Sequence, residues 1–210
     1  MPSSHDMGEC VKKWCRRFLL AGLIVILAFV AWFLMFTGPR NLDQYPPSAS
    51  SPYRLPWPGG IKYLCVQGNR AVVSHRGREE FAYDFAMPVG SDVCAARAGV
   101  VSNVMVEHDG NGLHAPNNFI GIRHDDGTYG WYFHVKQGGS YVQVGDRVKQ
   151  GQRIAACGNV GRSMLPHVHF QVTDGEGRLL RMTLADVKSD QGIPRMFKWY
   201  TSGNGQTADR

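Results

Sequence analysis

The sequence predicts an all-β domain, an antiparallel sandwich or barrel-like sheet, preceded by one transmembrane helix. Three observations predict it. From Ile61 onward, short runs of Val, Ile, Phe and Tyr recur between Gly-rich turn signals. No stretch of that region carries a long 3.6-residue pattern. Residues 18–36 (FLLAGLIVILAFVAWFLMF) form an uncharged apolar run, long enough as a helix to cross about 30 Å of hydrocarbon.

The flanks of that run set its expected orientation. Lys12, Lys13, Arg16 and Arg17 precede it, and only Arg40 and Asp43 follow closely. The positive-inside bias then leaves residues 1–17 in the cytoplasm and the rest of the chain outside a cytoplasmic membrane crossed once. A cleaved signal needs small residues at −3 and −1 after a shorter apolar core, where this run offers Phe29 or Phe36; an uncleaved anchor is the expectation. Residues 37–60 include the Pro- and Ser-rich GPRNLDQYPPSASSPYRLPWPGG, a composition expected to stay extended as a spacer. Residues 61–202 are enough for one domain with a core, and 203–210 are expected to be a flexible tail.

Charge and cysteines bound the partners. Removing Lys12, Lys13, Arg16, Arg17, Asp6 and Glu9 from 23 basic and 17 acidic residues leaves 19 against 15. So mild an excess suits an anionic envelope and calls for no nucleic acid. Cys65, Cys94 and Cys157 fall on the outer side, where two can pair or all three can stay buried thiols. Nothing in the sequence fixes an oligomeric state.

Strands are expected at 62–66, 93–96, 99–107, 118–124, 128–135, 141–144, 153–157, 167–173 and 179–183. Asp125-Asp126-Gly127 separates two of them and signals a hairpin, because Gly accepts the positive φ of a tight turn. VQVGDRVKQGQRIAACG (142–158) has Gly turns bracketing short strands, and MPVGSDVCAARAGVV (87–101) repeats that shape loosely. The echo reads as architecture. Residues after Lys188, with RMFKWYTSGN, are expected to add a last strand.

Histidines carry the chemical signal. His108 and His114 sit in a Gly/Asn-rich loop and read as solvated, and His124 ends a strand as a structural residue. In LPHVHF, His167, His169 and Gln171 share one face of an extended chain while Val168, Phe170 and Val172 take the other. His134 ends the strand YGWYFHV, and His75 opens SHRGREEFAYDF, in which Asp84 follows. Imidazole and carboxylate are zinc ligands, and a catalytic site uses three of them with water at the fourth position. These five groups allow three ligands and two histidines for chemistry.

The motifs YDFAMPVGSDVCAARAGVV, NNFIGIRHDDGTYGWYFHV, VQVGDRVKQGQRIAACGNVG and PHVHFQV, in that order, resemble the LytM/lysostaphin-type zinc metallopeptidases, which cleave the peptides of peptidoglycan. The resemblance spans about residues 62–173. It implies a duplicated-hybrid-motif-like metallopeptidase fold, one Zn2+ per chain held by His75, Asp84 and His169, and His134 and His167 as the catalytic pair beside it. A neighbouring imidazole takes the proton of a zinc-acidified water while another stabilises the oxyanion. His167 is expected as the base and His134 as the oxyanion partner, with the two roles exchangeable. Asn118 matches the family's asparagine ahead of the middle strand, as a substrate contact or a turn residue. Tyr132 is expected to border the groove or to pack. One departure stands out: the family separates its first His and Asp by three residues, whereas RGREEFAY intervenes here.

The implied function is a membrane-anchored zinc endopeptidase acting on peptidoglycan peptide cross-links. The family divides between D-amino-acid cross-links and glycine bridges. An anchored chain without a separate wall-targeting module suits work on its own envelope, which favours D,D-endopeptidase. The competing reading is a non-catalytic or autoinhibited relative that binds wall or activates an amidase. A lipoyl-type carrier lacks the modifiable lysine at a hairpin tip.

Overall fold

The computed structural model describes residues 4–205, with backbone alone for 4–11 and 34–36. The chain divides after Thr37 into two units. The first is the helix α1 (Ser4–Phe36). Its Lys12–Phe33 stretch is long and apolar enough to cross a membrane, and none of that window is buried. The helix begins well before residue 18, so the expected basic segment continues the apolar one without a break; residues 1–3 lie outside the described residues.

The second unit is an antiparallel β sandwich. Its strands are β1 (Lys62–Gln67), β2 (Tyr83–Ala86), β3 (Asp92–Cys94), β4 (Gly99–Met105), β5 (Phe119–Arg123), β6 (Tyr129–Phe133), β7 (Val135–Ser140), β8 (Arg147–Val148), β9 (Arg153–Cys157), β10 (His167–Thr173) and β11 (Trp199–Thr201). Eight form one sheet in the order β11-β1-β2-β10-β6-β5-β4-β8, and three form a second, β3-β9-β7. The two echoed segments pair with each other, β3 with β9 and β4 with β8. Gly127, at φ 82°, turns the expected hairpin, with its N–H donating to His124 O.

Alternation decides which face of each strand enters the core. Val168, Phe170 and Val172 of β10 are buried beside Tyr83, Phe85, Ile120, Ile122 and Tyr132, and β9 contributes Ile154 from the other sheet. Tyr132 packs here, its hydroxyl accepting from Ala96 N at 2.7 Å, so it does not border the groove. Each such large side chain contributes about 1.5–3 kcal/mol by leaving water. Cys65, Cys94 and Cys157 are buried free thiols, and burial pushes the Cys94 and Cys157 thiols up to about 12.

Several expectations are corrected. Residues 37–60 are no open spacer: Leu55 and Trp57 are fully buried, and Trp57 packs 4.8 Å from the Phe85 ring and donates Nε1–H to Ile61 O. Four anchors, Tyr45, Tyr53, Leu55 and Trp57, outweigh a Pro- and Ser-rich composition because each proline already lacks the conformational freedom that packing removes. The tail expected from residue 203 is held at its start, since buried Asn204 donates to Leu55 O and Trp57 O; residues 206–210 lie outside the described residues. The strand expected at 141–144 is turn and coil, and 179–183 makes only a bridge, Thr173 with Leu179. The strand β2 was not among those expected. β11 joins the edge of the sheet through β1.

A candidate metal centre in an open groove

The centre of the large sheet sets the site. β10 lies between β2 and β6, and the register places His169 opposite Asp84 on one side and Phe133 on the other. Directly opposed residues hold their side chains about 5 Å apart. Asp84 is in turn opposite Gln67 of β1, where a register shift between Cys65 and Gln67 re-aims the strand. Gln67, Asp84, His169 and Phe133 therefore form a row across four strands.

His75 comes from the loop between β1 and β2, and its ring reaches the row because three contacts tether it. Its Nδ1–H donates to Gly68 O at 2.9 Å, Gln67 Oε1 accepts from Ser74 N at 3.2 Å, and Gln67 Nε2 donates to Ser74 Oγ at 2.9 Å. The same Gln67 Nε2 lies 2.6 Å from Asp84 Oδ2. This is how the long RGREEFAY excursion still returns His75 to Asp84.

His75, Asp84 and His169 each offer a ligand atom, and these atoms lie within 4.8 Å of one another. Because a carbonyl can only accept, the Gly68 contact fixes the His75 proton on Nδ1 and leaves a lone pair on Nε2. That Nε2 sits 3.1 Å from Asp84 Oδ1 and makes no hydrogen bond. His169 Nε2 faces Gln171 Oε1 at 3.0 Å and its Nδ1 faces Asp84 Oδ1 at 2.8 Å. Two ring nitrogens thus converge on one carboxylate oxygen in a buried setting, a place that a proton or a metal ion fills. Two imidazoles and a carboxylate, each oriented by an outer partner, fit a zinc ion.

The titration directions agree. Burial alone would raise Asp84, but His75, His169 and His167 outweigh it and hold the carboxyl well below its usual range. Burial opposes a charge on His169, and Asp84 overcomes it, so its pKa is raised. The carboxylate therefore stays ionised, the form that a metal ligand takes.

His134 and His167 stand beside this set with ring centroids 4.4 Å apart. His134 occupies a one-residue corner at φ 64°, where the chain leaves β6 in one sheet for β7 in the other. A left-handed backbone at a non-glycine residue costs energy and persists where surrounding contacts hold it; here Gly158 N donates to His134 O and His134 Nδ1–H to Val160 O. His167 Nδ1–H donates to Leu165 O at 2.7 Å, with Ser163 Oγ at 3.2 Å. In the neutral form of each ring the proton therefore sits on Nδ1 and Nε2 carries the lone pair. Burial, then the His167 and His169 rings, push His134 down to about 3.

All five expected site residues meet, from fully buried His75 to 7% exposed His167 and His169. Asp84, His134, His167 and His169 line a groove of about 1030 Å³ walled by Val66, Val73, Leu113, Met164 and Phe197 and flanked by Arg78 and Arg162, while His75 is buried outside that lining. His114 lines that groove, whereas His124 is buried away from it, its Nδ1–H on Ala98 O. Asn118 is fully buried, its amide spanning His108 O and Val135 O; that clamp is the turn role, not a substrate contact. Gln67 and Ser163 carried no sequence signal, because their roles depend on a bulge and on a loop's path.

Peptidase family M23 matches residues 78–180, and through this domain the chain belongs to that family of metallopeptidases. The match begins just past His75 and contains Asp84, His134, His167 and His169. Among curated relatives, the glycyl-glycine endopeptidase ALE-1 of Staphylococcus capitis is 38% identical over 96 residues, 45% of this chain and 25% of that protein. The peptidoglycan DD-endopeptidase ShyC of Vibrio cholerae is 35% identical over 100 residues, 48% of this chain and 20% of that protein. The aligned part is thus a quarter or less of either relative's length. Among solved structures, the catalytic domain of lysostaphin from Staphylococcus simulans aligns at 28% identity and a TM-score of 0.42, over 58% of this chain and 87% of that one.

Proposed function

We propose that this chain is a membrane-anchored zinc endopeptidase that hydrolyses peptide cross-links of peptidoglycan, with the D,D bond favoured. The observation that carries the reading is the convergence of Nε2 of His75 and Nδ1 of His169 on Asp84 Oδ1, beside two further histidines in an open groove. Membership in family M23 and relatives named for both D,D and glycyl-glycine cleavage support the substrate class. The helix α1 supports the anchor by length and composition. Bulky groove walls at Val66, Leu113 and Met164 suit a substrate with side chains better than a bare glycine bridge.

His75, Asp84 and His169 would hold the zinc ion. When bound, it supplies a Lewis acid that polarises the scissile carbonyl and acidifies water. His167 Nε2, bare because Leu165 O holds the Nδ1 proton, takes the proton of the attacking water and returns it to the leaving amine. His134, whose Nδ1–H donates to Val160 O, presents a bare Nε2 that cannot donate to an oxyanion. With its ring 4.4 Å from that of His167, it accepts a hydrogen bond from the attacking water's second hydrogen while His167 takes the first. The apolar walls lower the local dielectric around both rings.

The test is mass spectrometry of fragments released from purified cross-linked peptidoglycan, with and without a zinc chelator. Chelator-sensitive loss of cross-linked dimers supports the reading and names the bond. Intact dimers in the presence of one bound zinc per chain would favour the non-catalytic, amidase-activating reading.

A further inference from the structure

The outward face of the large sheet carries an aromatic pavement that the chemistry does not use. Tyr129, Trp131 and Phe133 alternate with core residues along β6, and all three are half-buried. The indole of Trp131 crosses its own sheet: Nε1–H donates to Thr173 Oγ1 on β10, while its benzo edge covers Gly121 on β5. A Cβ built at Gly121 would sit 2.7 Å from that edge, so the glycine is what lets the ring lie flat. Tyr129 lies 16° from the plane of Trp131 with centroids 6.0 Å apart, and Phe133 lies 25° from it at 6.4 Å. Phe119 stands at 65° to Trp131 as a side wall.

This surface is continuous with the metal centre. Phe133 lines the groove and packs 5.4 Å from the His169 ring. In register, His169, Gln171 and Thr173 of β10 accompany Phe133, Trp131 and Tyr129. From His169 to Thr173 the strand rises about 13 Å. An extended peptide stem of four residues covers about the same distance.

We propose that this pavement is a saccharide-binding surface, which stacks the C–H faces of a pyranose unit of the glycan strand while the attached stem peptide runs to the metal. It rests on the cross-link endopeptidase reading above. A flat, laterally supported aromatic face offers a sugar ring dispersion and C–H contacts without ordering a flexible side chain. Gln171, half-exposed and opposite Trp131 in register, supplies a hydrogen-bonding amide at its margin. The span fits: with the scissile bond at His169, a stem that runs along β10 toward Thr173 brings its carbohydrate end over Trp131 and Tyr129.

Two measurements on the full chain in detergent micelles test this. The first compares kcat/KM on cross-linked dimers with and without their sugars. The wild type should prefer the sugar-bearing dimer about tenfold, the size one stacking contact sets, and Trp131→Leu, which keeps apolar bulk, should bring the ratio to near one. A wild type without preference, or a Trp131→Leu enzyme that keeps it, overturns the proposal; equal loss on both dimers assigns Trp131 to folding and overturns it also. The second needs no turnover: titrating N-acetylglucosamine oligomers should shift the Trp131 indole N–H resonance, identified by its loss in Trp131→Leu. Saturation with no shift there overturns the proposal, while a shift in a protein that cleaves neither dimer keeps the surface and rejects the endopeptidase reading.

Discussion

Gln67 is the residue on which the geometry of the centre turns. Its amide holds Asp84 Oδ2 and the Ser74 backbone at once, so one side chain orients the carboxylate and tethers the loop that delivers His75. Gln67→Ala should weaken zinc affinity about 10- to 100-fold, the usual effect of removing an outer partner of a ligand, read by competition with a chelator. Unchanged affinity would place the tether elsewhere. His124 gives a second test. Burial first, against the hydrogen bond to Ala98 O, lowers its pKa below the ordinary 6.5. The folded chain thus binds the proton less readily than the unfolded chain. Its contribution to stability is complete above about pH 6.5 and is lost as pH falls below that value toward the depressed one. Thermal unfolding at pH 7.5 and 5.5 should show His124→Asn losing less stability on acidification than the wild type does. At this scale His134, His167 and His169 were legible because alternation and a turn signal place them, and Asp84 only through the family's motif order; Gln67 was not, because a bulge puts it opposite Asp84.

At the scale of elements, the segment before β1 is where composition misled. Its prolines and serines suggest an extended chain, yet the segment turns through short 3-10 helices at Leu42–Gln44 and Ser48–Ser50 and packs Leu55 and Trp57 into the core. Trp57→Ala should cost about 3–5 kcal/mol and lower the melting temperature by roughly 10 °C; a spacer outside the core would show no change. The hairpin of β5 and β6 was legible from DDG, and β10 from HVHFQV. β2 escaped because YDFA is four residues with a buried aspartate in a central strand, which contradicts strand preference and is sustained by the charged centre it serves. The expected strand at 179–183 fails because its ladder stops at one bridge, Thr173 with Leu179.

At the scale of the molecule, the sandwich exists to close one site from distant parts of the chain. Loop 68–82 brings His75, β2 brings Asp84, the sheet-switching corner after β6 brings His134, and β10 brings His167 and His169. The all-β class and the echoed segments followed from Gly-bracketed strands, and their mutual pairing explains why the same shape occurs twice. What the sequence could not show was the meeting of the row Gln67, Asp84, His169 and Phe133, because antiparallel register is a tertiary property. The aromatic pavement was hidden for the same reason: Trp131 and Gly121 become partners only when β5 and β6 pair.

The most direct measurement is bound zinc per chain, with cross-link hydrolysis, in His169→Ala and His167→Ala. The account predicts that His169→Ala loses both, whereas His167→Ala keeps one zinc and loses at least about a hundredfold in turnover. Equal loss of zinc in the two variants, or turnover surviving in His167→Ala, would contradict the division between the histidine that holds the metal and the histidine that moves the proton.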